Sequence, residues 1–181
     1  MPAYHSKFNE LEGIRTIGGI SILPIKPLHS KGVATAAEED ATDIIDETLE
    51  YFRANMLFSQ FDIQGDADRL LIYLTSFASD CIKTIAREKV PDSTAGAKVL
   101  HQNAIKKFAL PGDINFVSGL SHFFEKPSSK SNSDFLKQYL SQVRQELAAR
   151  LCERIFNEDG TPNKWWMSYS KKNFMGQKEK K

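Results

Sequence analysis

Between Ser133 and Ile155 six apolar residues, Leu136, Leu140, Val143, Leu147, Leu151 and Ile155, recur at intervals of four, three, four, four and four. That period keeps one apolar stripe on one side of an α-helix. Tyr139 and Phe156 widen the stripe, and Lys137, Arg144, Glu146, Arg150, Glu153 and Arg154 are expected on the opposite face or its margins. Residues 131–134 offer several N-cap oxygens and Asp159-Gly160 a stop, with about six turns between them. A helix this long with one apolar side needs other elements to cover it.

The same stretch runs on into an aromatic, basic segment. Thr161-Pro162 offers a capping hydroxyl followed by a residue preset for the first helical position, and Lys164-Trp165-Trp166-Met167-Ser168-Tyr169 is expected to continue as helix. Adjacent helical residues lie about 100° apart, so one tryptophan can face the core while the other faces outward. Trp, Tyr and Arg dominate protein-interface hot spots, which makes this segment a candidate docking edge.

Upstream, Ile14 to Ile25 reads as a short half-buried strand, with Ile20 and Ile22 alternating with Gly19 and Ser21, and Pro24 marks it as an edge. Residues 27–42 show no apolar period and are expected to form a mobile surface loop. A first helix begins near Thr42-Asp43, with Ile44, Ile45, Leu49 and Phe52 inside and Asp43, Asp46, Glu47 and Glu50 outside. This acid stripe raises a Mg²⁺ or Ca²⁺ site, but four acids on one rigid helix face rarely converge on a point, and a solvated face is the reading adopted.

Gln64-Gly65-Asp66 is a break with an N-cap, after which Leu70, Leu71, Leu74, Phe77, Ala78, Cys81, Ile82 and Ile85 cover nearly half of a second helix. Asp68 and Arg69 are placed at its wet edge. Ser93 or Thr94 can cap a third helix carrying Val99, Leu100, Ile105 and Phe108, and His101 lies beside its apolar face without a partner at metal spacing. Leu110-Pro111-Gly112-Asp113 is a turn, and Ile114 to Val117 reads as a second strand pairing with Ile20 to Leu23.

The chain of 181 residues is long enough to bury roughly 70% of its unfolded surface, and its twelve phenylalanines supply a core without metal or disulfide. The fold class expected is mainly α: one compact helical domain over residues 1–175, about five to six helices with a small two-stranded β element, and a disordered basic tail at 176–181. Cys81 and Cys152 sit in separate apolar patterns, which fits a reducing compartment. The start of the chain lacks a charged leader with an apolar run, and no stretch approaches the ~18 apolar residues of a membrane span, so a cytosolic location is expected.

The net charge of +1 hides a split, since residues 164–181 carry six lysines against Glu179, a net of +5, leaving −4 for residues 1–163. No groove-reading or RNA-binding motif accompanies the basic end, and its lysines are read as solvated. Gly18-Gly19 is not a phosphate-binding loop, and the Gly-x-Gly-x-x-Gly, Walker, nucleophile-elbow and His-Glu-x-x-His patterns do not occur. No enzyme, metal or cofactor is expected.

Blocks spread from the first residue to about Met175 carry a resemblance. They are Met1-Pro2-Ala3-Tyr4-His5-Ser6, Leu23-Pro24-Ile25, Asp43-Ile44-Ile45-Asp46-Glu47, Tyr51-Phe52-Arg53-Ala54-Asn55, Ala67-Asp68-Arg69-Leu70-Leu71-Ile72-Tyr73, Leu110-Pro111-Gly112, Tyr139-Leu140 with Arg144-Gln145-Glu146 through Arg150-Leu151-Cys152-Glu153-Arg154, and Lys164-Trp165-Trp166 with Asn173-Phe174-Met175. In this order they resemble subunit 3 of the actin-related protein 2/3 complex, the 21-kDa subunit family. Residues 31–41 and 87–99 match poorly, and Asp113-Ile114-Asn115-Phe116 stands in place of a Pro-Gly-Phe-Pro-type run.

The resemblance implies a non-catalytic, largely helical subunit of a seven-subunit assembly that nucleates a new actin filament from the side of an existing one. It implies packing against actin-related protein 3, with actin-related protein 2 and mother-filament actin nearby in the active state. It also implies residence at cytoplasmic sites of branched actin assembly, without nucleic acid or membrane insertion. Candidate contact residues are Tyr4, His5, Trp165, Trp166, Lys171, Lys172 and Phe174. The rival readings are a stand-alone basic adaptor for anionic lipid or nucleic acid, and a metal-dependent hydrolase built on the acid stripe.

Overall fold

The computed structural model describes residues 3–117 and 119–176. The protein is mainly α, with five α-helices and one two-stranded antiparallel sheet among the described residues. Helix α1 spans Ile44–Asn55, α2 Asp66–Arg87, α3 Ser93–Ile105, α4 Lys130–Ile155 and α5 Lys164–Met167. The buried apolar side chains form one continuous cluster, with contributions from every helix.

The sheet is a hairpin of β1, Thr16–Ile17, and β2, Ile20–Ser21, with Thr16 opposite Ser21 and Ile17 opposite Ile20. Gly18 and Gly19 form its two-residue turn with φ of 62° and 80°, a left-handed geometry that glycine adopts without strain. The expected pairing with Ile114 to Val117 is therefore replaced by a local one. Residues 113–117 form turns, and Ile114 projects into solvent at 97% exposure. Alternating apolar residues alone could not distinguish a strand from a turn that buries only Phe116.

Helix α2 is central. It packs against α1, α3, α4, α5 and β2 and is the most continuously buried of the helices. Its N-cap is Gly65, without a side-chain cap, so the helix takes in Asp66 as its first residue. Helix α1 is closed at its start by a capping box. Asp43 Oδ1 accepts from the Asp46 N–H at 2.9 Å, and Asp46 Oδ2 accepts from the Asp43 N–H at 3.3 Å. Asp92, one residue ahead of the expected cap, closes α3 through the Ala95 N–H.

Helix α4 is longer than the periodicity indicates because Ser129 caps it ahead of the expected 131–134 cluster. Its 26 residues span about 39 Å and carry the predicted apolar stripe into the core. It ends at Ile155, not at Asp159-Gly160. Phe156 has left the helix and bridges to Pro162, while its ring packs at Gly96 of α3. A Cβ at Gly96 would overlap that ring, so the glycine sets how closely α3 approaches the end of α4.

The segment 27–42 is no free loop. Ile25 bridges to Ala36, and His29, Ser30 and Ala34 are each hydrogen-bonded to α4. Gly176 ends a 3-10 turn with Phe174 and Met175, and the rest of the expected tail, residues 177–181, lies outside the described residues.

Candidate interaction surface and its supports

The cap of α5 is Asn163, not Thr161. Its Oδ1 accepts from the N–H groups of Trp165 at 3.0 Å and Trp166 at 3.2 Å, and the helix lasts one turn before tightening to a 3-10 turn over Ser168–Lys171. As the angular spacing requires, the two tryptophans diverge. Trp166 is 6% exposed and stacks on Phe52 at 5.7 Å, with the Arg53 guanidinium 4.7 Å from its ring centre. Trp165 is 66% exposed, with Lys164 Nζ 5.3 Å from its ring centre. Lys171 and Lys172 are exposed on the turn that follows, and Phe174 is buried.

Tyr4 and His5 reach the same helix from the other end of the chain. The Tyr4 ring stacks on Tyr51 at 5.1 Å, and its backbone exchanges two hydrogen bonds with the Asn55 amide, at 2.9 and 3.1 Å. Three consecutive residues of α1, Tyr51, Phe52 and Arg53, thus hold Tyr4 on one side and Trp166 with Tyr169 on the other. Tyr51 and Arg53 were missed as site residues. Their signal was only an aromatic-basic triplet at the end of an amphipathic helix.

His5 points inward. Its Nδ1 lies 2.8 Å from Asp68 Oδ2, and its ring packs edge-on to Phe61. Asp68, expected at a wet edge, is fully buried and also accepts from the N–H groups of Ser6 at 2.8 Å and Gln64 at 3.0 Å. Glu47, expected on a solvated face, is 2% exposed. It accepts from the Lys7 N–H at 2.7 Å and the Ser6 hydroxyl at 3.0 Å. Burial raises the Glu47 pKa above its ordinary 4.5, outweighing those hydrogen bonds.

The charged residues of α4 depart furthest from expectation, since Arg144, Glu146 and Arg150 are buried. Arg150 grips Asp43 with both terminal nitrogens, at 2.8 and 2.9 Å, and donates to Glu146 at 3.1 Å, Asp46 at 3.1 Å and the Lys26 carbonyl at 2.5 Å. Those five hydrogen bonds use all of a guanidinium's donors. Glu146 passes the connection on, accepting from the His29 N–H at 3.0 Å and the Ser30 hydroxyl at 2.7 Å. Burial opposes ionisation of Asp46, but Lys26, the Asp43 amide and Arg150 prevail and hold its pKa below the usual 3.8.

The acid stripe of α1 is therefore dispersed. Asp43 and Asp46 face Arg150, Glu47 faces the N-terminal segment, and only Glu50 is exposed. Among the described residues no three His, Cys, Asp or Glu side chains are placed to hold a metal ion. Cys81 lies in the core, where burial pushes its thiol up to about 12 and keeps it protonated.

This arrangement defines a class: a mainly helical module whose buried polar groups fasten segments together, with Trp165, Lys171 and Lys172 exposed at and after α5 and Tyr4 exposed near the start of the chain. The chain belongs to the family described as the ARP2/3 complex ARPC3 (21 kDa) subunit, whose model matches residues 1–178. It is 41% identical over 174 residues to actin-related protein 2/3 complex subunit 3 of Dictyostelium discoideum, covering 95% of this chain and 97% of that protein. The same subunit of Schizosaccharomyces pombe is 40% identical over 176 residues, 97% of this chain and 98% of its own length. That of Arabidopsis thaliana is 39% identical over 173 residues, 95% and 96% of the two lengths. The family is one of structural, non-catalytic subunits.

Proposed function

We propose that this chain packs against actin-related protein 3 within the complex and supports nucleation of branched actin filaments, with actin-related protein 2 and mother-filament actin adjacent in the active state. The observation that carries this reading is the family match along nearly the whole chain, residues 1–178. Residues 1–175 act as one folding unit. Tyr4, Trp165, Lys171 and Lys172 provide exposed contacts, while His5, Trp166 and Phe174 set the shape beneath them. Its place of work is the cytoplasmic actin cytoskeleton.

The test is to tag the protein in its native cell, purify it at moderate salt and identify what co-elutes. Both actin-related proteins are expected in fixed ratio to the tagged chain. Recovery without either, or salt-sensitive capture on anionic vesicles or oligonucleotides in place of a defined complex, would overturn the proposal in favour of a basic adaptor.

A further inference from the structure

A cleft of about 700 Å³ opens between the C-terminal half of α2, the end of α3 and the segment that follows it. Lys83, Arg87, Lys106 and Lys107 line it against a single acid among its described residues, Asp80. Lys83 also donates to Asn173 at 2.8 Å, so it is held at the cleft from the α5 side.

The floor holds a more specific signal. Arg144 is 7% exposed and lies 4.2 Å from the Phe77 ring centre and 4.5 Å from that of Phe108. Its guanidinium donates to the carbonyls of Ala104 at 3.1 Å and Asn103 at 2.9 Å and to the Tyr73 hydroxyl at 3.3 Å. All three acceptors are neutral. Buried charges are ordinarily paired, as Arg150 is with three carboxylates. Among the described residues Arg144 has no carboxylate within ion-pair distance, and two of its five N–H donors are left over.

Two features favour a polypeptide over a small free anion. Phe108, which follows Lys107, and Val117 line the same cleft as the cations and are only half-buried. Phosphate would leave both apolar side chains in water, whereas a protein segment covers them while its acids meet the cations.

We propose that this cleft docks an acidic segment of a neighbouring subunit, with one carboxylate reaching the spare donors of Arg144 and others meeting Lys106, Lys107 and Arg87. The proposal rests on the reading of this chain as a subunit of the complex. The test is to purify the complex through a tag on this chain and compare acylation of its lysines, mapped by mass spectrometry, with that of the free full-length chain. A carbodiimide cross-link is run in parallel.

Lys106 and Lys107 should lose reactivity in the complex, and one of them should cross-link to an Asp or Glu of another subunit. The K106E/K107E double variant should leave the complex at lower salt with its melting midpoint unchanged. A complex in which both lysines react as in the free chain overturns the cleft proposal and leaves subunit membership standing. Protection of the free chain by inorganic pyrophosphate, with no cross-link in the complex, overturns it in favour of a small anion. Recovery of the chain without other subunits overturns both readings.

Discussion

Adjacent side chains of the same type play opposite parts in this molecule, and Trp165 and Trp166 are the clearest instance. Trp166 is enclosed by Phe52 and Arg53, while Trp165 stands in solvent next to Lys164. Truncating Trp166 removes a buried ring that the short α5 cannot collapse to replace, so W166A is expected to lose about 3–5 kcal/mol of stability in urea unfolding. W165A removes no buried surface of that kind and should stay within about 0.5 kcal/mol of the parent. In assembly the order reverses. W165A should weaken recovery of the complex while folding normally, and any weakening by W166A should track its loss of fold. Equal destabilisation by the two would show that Trp165 is held by the protein's own core.

Among the elements, α4 shows what a local pattern reveals and what it hides. Its apolar stripe was legible because a 3.6-residue period is a property of neighbouring residues, and its burial follows the reading from Leu136 to Ile155. The fate of Arg150 was not legible. Its partners Lys26, Asp43 and Asp46 lie 124, 107 and 104 residues away in the chain, and no local rule connects them. Glu47 and Asp68 were misplaced for the same reason, since their partners arrive from the N-terminal segment. The hairpin escaped because two-residue strands are too short to show a period, although Gly18-Gly19 marked its turn. Of the candidate surface, the divergence of the tryptophans was legible from helix geometry, whereas the meeting of both chain ends on Tyr51 to Arg53 was not. The element-scale prediction follows from the buried cluster. R150A leaves Asp43 and Glu146 buried without their cation and is expected to cost about 3–5 kcal/mol. R150K, which cannot reproduce the planar fork, should recover only part. Hydrogen exchange should show the His29 and Lys26 amides losing protection ahead of the α2 core. Retained protection there would mean that Glu146 and Asp43 hold the segment without Arg150.

For the whole molecule, α1 is the point where distant parts of the chain are fastened. Asp43 and Asp46 bind α4 and the Lys26 segment, Glu47 and Asn55 bind residues 4–7, and Phe52 with Arg53 binds α5. Two successive carboxylates of this helix therefore tie down different segments, and their pKa values move in opposite directions. The Asp46 pKa is lowered in the folded state, so its contribution is present above the ordinary 3.8 and is lost as pH falls through the folded value. The Glu47 pKa is raised by burial, so its contribution is complete below the ordinary 4.5 and is lost as pH rises through the folded value. Replacing each with its neutral amide separates the two. D46N should be less stable than the parent at neutral pH, with the gap closing as pH falls below 3.8. E47Q removes a contribution that declines above 4.5, so its stability should rise more steeply with pH than that of the parent over that range. Urea unfolding at a series of pH values reads both slopes. Parallel curves for parent and D46N would show that Lys26 and Arg150 do not hold Asp46 ionised, and parallel curves for parent and E47Q would show that the N-terminal segment leaves Glu47 open to water.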